Sequence, residues 1–401
     1  MPMALEGIRV IDFTQLEFGP VGTTILGDYG ADVIKIERIE GGDIQRNGGT
    51  SIRGLSANFL AFNRNKRSVA VDIRKQEGKQ VIYDLVRVAD VVAENFRPGV
   101  MDRLQLGYEH LEAINPRIIY ASASGFGQTG PYRDRRGQDL AAQAMSGFAS
   151  ITGHRDDPPI VGGTWVADYV GAMNVAQGIL IALLARERTG RGQCLETSLL
   201  NTAVALSPCE ALEYLNTGIV PERGPRGSIH VGSPPTGAIY QAKDGYVAVN
   251  VVFMGGTNPL SAMCQVLEIE DLGTDPRFDA REKQLERYEE LRDILAPAFL
   301  KKTVAEWVER FNEREIICAP VYTFKETFQD PQVLHNEMVV ELPHPFGGTI
   351  KVVSSPLKLY DTPWQVRYGA PRLGAHTDEV LATIGYSQEK IAELRQNKAI
   401  G

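Results

Sequence analysis

Residues Ile8–Glu37, IRVIDFTQLEFGPVGTTILGDYGADVIKIE, decide the fold. The segment Ile8–Phe13 is rich in β-branched residues and ends at an acid and a turn, which reads as a buried strand. Gly19–Ala31 reads as a helix entered through small residues, and Asp32–Glu37 as the next strand. The same alternation continues downstream. SVAVDI (Ser68–Ile73) is a third strand, KQEGKQVIYDLVRVA (Lys75–Ala89) a helix with apolar residues at helical spacing, and DVVAENF (Asp90–Phe96) and RIIYASASGF (Arg117–Phe126) two further strands. Repeated strand–helix–strand order with short connections predicts an α/β fold, a Rossmann-like doubly wound parallel sheet with helices on both faces. Such sheets bind ligands outside the carboxyl ends of their strands. No GxGxxG follows the first strand, so a dinucleotide reading loses its main support.

Beyond this region the pattern changes. Tyr169–Arg188 reads as a long apolar helix, followed by a turn, a short strand and another helix in TGRGQCLETSLLNTAVAL. Composition shifts to Gly, Pro and Arg around Pro221–Pro235, which suits a linker. GAIYQAKDGYVAVNVV then reads as an antiparallel hairpin across Lys243-Asp244-Gly245. This region is expected to form a smaller α+β domain. The expected boundaries are 1–200 for the large domain, 201–225 for a linker, 226–325 for the small domain and 326–401 for a returning C-terminal segment.

The 401 residues carry a formal net charge of -8, which argues against a nucleic-acid partner. No opening signal peptide is read in MPMALEGIRVIDF, and the longest apolar run, Val175–Ala185, is interrupted at Gln177-Gly178. A cytoplasmic protein without a membrane partner is expected. Cys194, Cys209, Cys264 and Cys318 lack CxxC spacing and are expected as reduced, packed thiols; no metal site is expected.

Basic residues recur at the predicted strand ends: Arg38, then Arg74 and Lys75, then Arg97 and Arg103, then Arg133, Arg135 and Arg136. In a parallel sheet these loops share one rim. A basic rim on an acidic protein points to a polyanionic small molecule, because the guanidinium fork suits phosphate.

The segments LEGIRVIDFTQLEFGP (Leu5–Pro20), GADVIKIER (Gly30–Arg38), NKRSVAVDI (Asn65–Ile73), AENFRPGVMDRLQLGY (Ala93–Tyr108), NPRIIYASASGFGQTGP (Asn115–Pro131), ERTGRGQ (Glu187–Gln193), ICAPVYTFKE (Ile317–Glu326) and APRLGAHTDEVL (Ala370–Leu381) together resemble the class III coenzyme A transferases of the formyl-CoA and carnitine CoA-transferase type. The resemblance implies an interlocked-ring dimer, either a homodimer or a heterodimer with a paralogue. The implied substrates are an acyl-CoA and a carboxylic acid, with no cofactor beyond coenzyme A itself. Asp168 takes the place of the family's nucleophilic aspartate. CoA contacts fall on Arg38, on Val71, Asp72, Ile73 and Arg74, on Asn95, Phe96 and Arg97, and on Arg103 and Arg136. Gln15, Phe18, Gln138 and Asp139 complete the implied substrate-binding set, and Glu17 stands where the formyl-CoA enzymes carry glutamine. The related alpha-methylacyl-CoA racemases place a histidine where this chain has Gln138, which cannot act as a general base. A non-enzymatic CoA-binding subunit of a heteromer is the other alternative.

The plain reading of Asp168 is a helix N-cap or first-turn acid, kept ionised by the helix N-terminus. Gly255 and Gly256 are candidate oxyanion donors. Trp165, Tyr169, Phe18 and Phe253 suggest an acceptor with a bulky apolar part, and succinyl-CoA is the expected donor.

Overall fold

The computed structural model describes residues 2–252 and 258–401. These divide into two compact units, one of 1–146, 164–206 and 331–401, the other of 147–163 and 207–330.

The first unit is built on six strands: β1 (Arg9–Asp12), β2 (Asp32–Glu37), β3 (Lys66–Ala70), β4 (Val91–Glu94), β5 (Ile119–Ser124) and β6 (Cys194–Ser198). Their order is β3-β2-β1-β4-β5-β6, and every neighbouring pair is parallel. Chain progression reverses between β1 and β4, which makes the carboxyl ends of those two strands the switch-point crevice. Successive side chains feed opposite faces. Ile11, Ile34 and Val92 pack on one side with Val81 and Leu85 of α2 (Gln76–Arg87). Val10, Val33 and Val91 pack on the other with Leu26 of α1 (Phe18–Asp28) and Ala176 and Ile179 of α4 (Val166–Thr189). A short helix, α3 (Asp139–Met145), precedes α4. Near the C-terminus, α5 (Gln388–Gln396) adds Ile391 and Leu394 to the first face.

Strand β3 starts at Lys66, two residues before the expected Ser68. Its first residues are charged and look like surface, yet Lys66 is fully buried against Asp12 at 2.9 Å and Arg67 pairs with Asp32 at 2.6 Å. Those carboxylates lie on other strands, so no local pattern discloses the pairing. Helix α4 starts at Val166 rather than Tyr169. It runs through Gln177-Gly178 without a break and is long and apolar enough to cross a membrane by length and composition, contrary to the expectation from the interrupted run. Within this fold its Ala167, Ala172, Val175 and Ile179 lie in the core.

Small residues let α1 and α4 approach closely. A Cβ added at Gly22 would lie 2.8 Å from the Ala172 carbonyl oxygen, and one at Gly171 would lie 2.5 Å from the Phe18 ring.

The second unit carries an antiparallel sheet of β7 (Gly237–Gln241), β8 (Tyr246–Asn250) and β9 (Ile317–Pro320), ordered β9-β8-β7. Its core stacks Tyr240 on Phe299 at 4.1 Å, and the buried Trp307 indole donates to the Phe299 carbonyl at 2.7 Å. A helix spans Pro208–Thr217 within the stretch read as linker. Cys264 and Cys318 are buried, whereas Cys194 and Cys209 are exposed rather than packed; all four are free thiols.

Gly22→Val is expected to destabilise the protein by about 1–3 kcal/mol, the usual cost of overpacking a close contact. Urea denaturation would show a lower midpoint at unchanged slope; an unchanged midpoint would mean that α1 and α4 can move apart.

Candidate active site

The switch-point loop is held from below by buried charge. Asp12, at the end of β1, accepts hydrogen bonds from the Thr14 amide and the Thr23 hydroxyl, each at 2.9 Å, and from Lys66 Nζ at 2.9 Å. Burial opposes its ionisation, but Lys66 and Lys35 outweigh it and hold the carboxyl below its ordinary value. Lys35 Nζ donates to the Thr14 carbonyl at 2.7 Å and pairs with Asp43 at 2.8 Å. Asn95, just past β4, clamps Gln15 on both sides: its carbonyl accepts the Gln15 amide and its amide donates to the Gln15 carbonyl, each at 2.8 Å. Leu16 takes a left-handed φ of 65°, and its amide donates to Asp43 at 3.3 Å. The loop is therefore fixed before it reaches Glu17.

Glu17 occupies the N-cap position of α1 but makes no capping bond. Its carboxylate instead accepts from Gln45 Nε2 at 3.3 Å and Asn58 Nδ2 at 3.5 Å, both neutral donors. Burial, followed by the charge of Asp139, raises its pKa above the ordinary value.

Asp168 is the third residue of α4, not its cap. The capping role falls to Asp139 of α3, whose Oδ1 accepts the amides of Ala167 at 2.7 Å and Asp168 at 3.4 Å. The Asp168 side chain is thereby released from capping. It is also not held ionised by the helix end, as its position alone would suggest. Burial, then the charges of Glu17 and Asp139, push its carboxyl up to about 7. Burial and two nearby carboxylates outweigh a helix terminus whose amides are already partly satisfied by Asp139.

Two cavities in the first unit gather most of the predicted binding residues. One of about 850 Å³ is lined by Gln15, Arg38, Val71, Asp72, Ile73, Arg74, Phe96 and Arg103. The other, of about 560 Å³, is lined by Asn95, Phe96, Arg97, Arg136 and Gln138, with Leu140, Ala141 and Ala144 of α3 as its apolar wall. Helix α3 thus links the second cavity to the first turn of α4. The Arg74 guanidinium already bonds Asp72, at 2.8 and 3.0 Å. Phe18 departs from expectation: its side chain is buried against Gly171 and lines neither cavity. Gly255, Gly256 and Phe253 lie outside the described residues. Among the described residues, no group of three or more His, Cys, Asp or Glu side chains is placed to hold a metal.

Several contributors escaped sequence reading. Phe62 meets the Tyr169 ring edge-on at 6.0 Å, beside the Tyr169–Trp165 contact at 6.4 Å. Glu94 accepts the Phe96 amide at 2.8 Å and bonds the Ser122 hydroxyl, fixing the residue that both cavities share. Burial pushes the Glu94 carboxyl up to about 7. Arg395, Lys398 and Ile400 line the larger cavity from the far end of the chain. The only local signal was the polar C-terminal helix, which carries no trace of where it docks.

The described geometry has counterparts among known proteins. Residues 5–377 match the model of CoA-transferase family III. An acyl-CoA transferase of Fusarium pseudograminearum is 40% identical over 99% of this chain and 88% of its own length. A formyl-CoA:oxalate CoA-transferase of Rhodopseudomonas palustris is 34% identical over 100% and 98%. A succinyl-CoA:glutarate CoA-transferase of Mus musculus is 34% identical over 95% and 86%. The crystal structure of a CAIB/BAIF family protein from Brucella suis superposes with a TM-score of 0.85 at 30% identity, covering 96% of this chain and 100% of that one. With a family match spanning nearly its whole length and a parallel sheet that carries a cationic switch-point crevice, the chain belongs to CoA-transferase family III.

Proposed function

We propose that this protein moves CoA from an acyl-CoA donor to a carboxylic acid acceptor through a covalent aspartyl-CoA intermediate on Asp168. The observation that carries this reading is the division of labour at the start of α4. Asp139 takes the capping hydrogen bonds, which leaves Asp168 a half-buried carboxylate without a cationic partner among the described residues, next to the helix that walls a basic cavity.

Exchange of a thioester between two acids needs a nucleophile that preserves the bond energy. The Asp168 carboxylate attacks the donor carbonyl, and the C–S bond breaks to give a mixed anhydride and CoA thiolate. The thiolate attacks the aspartyl carbonyl, forming aspartyl-CoA and releasing the donor acid. The acceptor carboxylate attacks aspartyl-CoA and expels thiolate, which then attacks the acceptor's acyl carbonyl and frees Asp168. No proton is gained or lost overall. The anion of a poorly solvated carboxylate is the better nucleophile, at the cost of a smaller ionised fraction at low pH.

The name of the mouse relative supports succinyl-CoA as donor. The aromatic group of Phe62, Trp165 and Tyr169 supports an acceptor with an apolar part. Glu17 is met by the neutral amide donors of Gln45 and Asn58, and burial with the charge of Asp139 raises its pKa, so its negative charge disfavours an anionic acceptor beside it. The same reading makes the working unit a dimer. In its support, Met173, Ile181 and Leu184 on α4 are exposed, as are Leu212 and Leu215 on the helix Pro208–Thr217.

Asp168→Ala is expected to lower turnover by about 10³-fold or more, the scale of losing a covalent nucleophile. Mass spectrometry of quenched, digested protein is expected to find CoA on the peptide containing Asp168 in the parent protein only. An adduct that survives the substitution would remove Asp168 from this role.

The pH dependence has a definite sign. Attack needs the ionised form, so kcat/KM for an acyl-CoA is expected to fall as pH drops through about 7. Glu17→Gln removes a neighbouring negative charge and is expected to move that limb to lower pH. A limb that stays in place would show that Glu17 does not act on Asp168.

A further inference from the structure

The larger cavity has a wall that comes from the other end of the sequence. Residues 397–401 run beside the end of β3, the edge strand of the sheet. The Asp72 amide donates to the Ala399 carbonyl and the Gly401 amide to the Ala70 carbonyl, each at 2.9 Å, and Val71 and Ile400 form an antiparallel bridge. Lys75 Nζ donates to the Asn397 carbonyl, and Ala399 and Ile400 are buried in the core. The segment is therefore a fixed part of the fold, and it places Arg395 and Lys398 in the cavity lining with Arg38, Arg74, Lys75 and Arg103. Only Glu40 and Asp72 oppose these six cations within the lining.

The two new cations differ in their commitments. Arg395 is held by Asp378. Lys398 has no ion pair among the described residues. It also occupies the position just past α5 with a left-handed φ of 53°, where glycine is the usual residue. A long cationic side chain stands where the backbone conformation favours none.

We propose that Lys398, with Arg395 beside it, binds a phosphate group at the nucleotide end of CoA. This rests on the CoA reading of the cavity given above. A lysine serves here as a mobile point charge, while the arginines provide fixed forks. Ligand binding then bridges the β1–β4 rim and the C-terminal segment, and stabilises the edge pairing of residues 397–401 with β3.

The test is isothermal titration of CoA and of dephospho-CoA into the parent protein, Lys398→Gln, Lys398→Glu and Arg38→Gln, with far-UV circular dichroism confirming the fold of each. Lys398→Gln is expected to raise the Kd for CoA by about 3–10-fold, as for a solvent-facing charge contact, and Lys398→Glu by more. An equal loss for dephospho-CoA places the contact at the pyrophosphate; a loss confined to CoA places it at the 3′-phosphate. Hydrogen exchange should also slow at the Asp72 and Gly401 amides when CoA binds. If Arg38→Gln weakens binding while both Lys398 variants bind like the parent, the inference is overturned and the CoA cavity stands. If the parent protein binds neither ligand, the CoA reading falls and this inference with it.

Discussion

Two lysines that never meet water, Lys35 and Lys66, hold together the carboxyl end of the sheet. A buried ammonium costs several kcal/mol unless it is paired and hydrogen-bonded. Here each one is, to Asp43 and Asp12 respectively; Lys35 also donates to the Thr14 carbonyl, and Lys66 to the Pro20 carbonyl and the Thr23 hydroxyl. Burial still pulls Lys66 down to about 8, which leaves it charged at neutral pH. Removing either partner would strand a charge in the interior. The pairs are thus fixed points, and the loop from Phe13 to Glu17 is tied to them through Thr14 and Leu16.

The same chemistry run without cations gives the site its character. Asp12 and Asp168 are the same residue type, and both are largely removed from water. Two lysines outweigh burial and lower the pKa of the first, whereas burial, then the charges of Glu17 and Asp139, raises the second to about 7. Two aspartates of one chain are distinguished only by what surrounds them. Asp139 makes this distinction workable. By satisfying the helix amides, it spares Asp168 the role that its position in the first turn would otherwise assign.

The cavities follow from the sheet's winding. Reversal between β1 and β4 opens a crevice, Asn95 stitches its two loops together, and Glu94 fixes Phe96, which both cavities share. Close packing of α1 on α4 at Gly22 and Gly171 brings the Glu17 loop up to the first turn of α4. Residues 397–401 pair with Ala70–Asp72 at the end of the edge strand β3 and add cations to the crevice.

Much of this was legible in the chain. Strand β2 matches its apolar run at Asp32–Glu37 residue for residue, and the basic positions at strand ends foretold the cationic rim, because period and side-chain charge are local properties. What stayed hidden depends on partners distant in sequence. Lys66 reads as surface until Asp12, 54 residues away, is seen beside it. Phe18 packs against Gly171, 153 residues away, a contact that its own neighbours in the sequence do not announce. Lys398 reads as a terminal charge until Val71 pairs with Ile400. The sequence by itself determined the elements, their order and the inventory of charges. Only the tertiary structure decided which charges are neutralised and which are left to act, because burial and Coulomb interaction depend on distance through space and not along the chain.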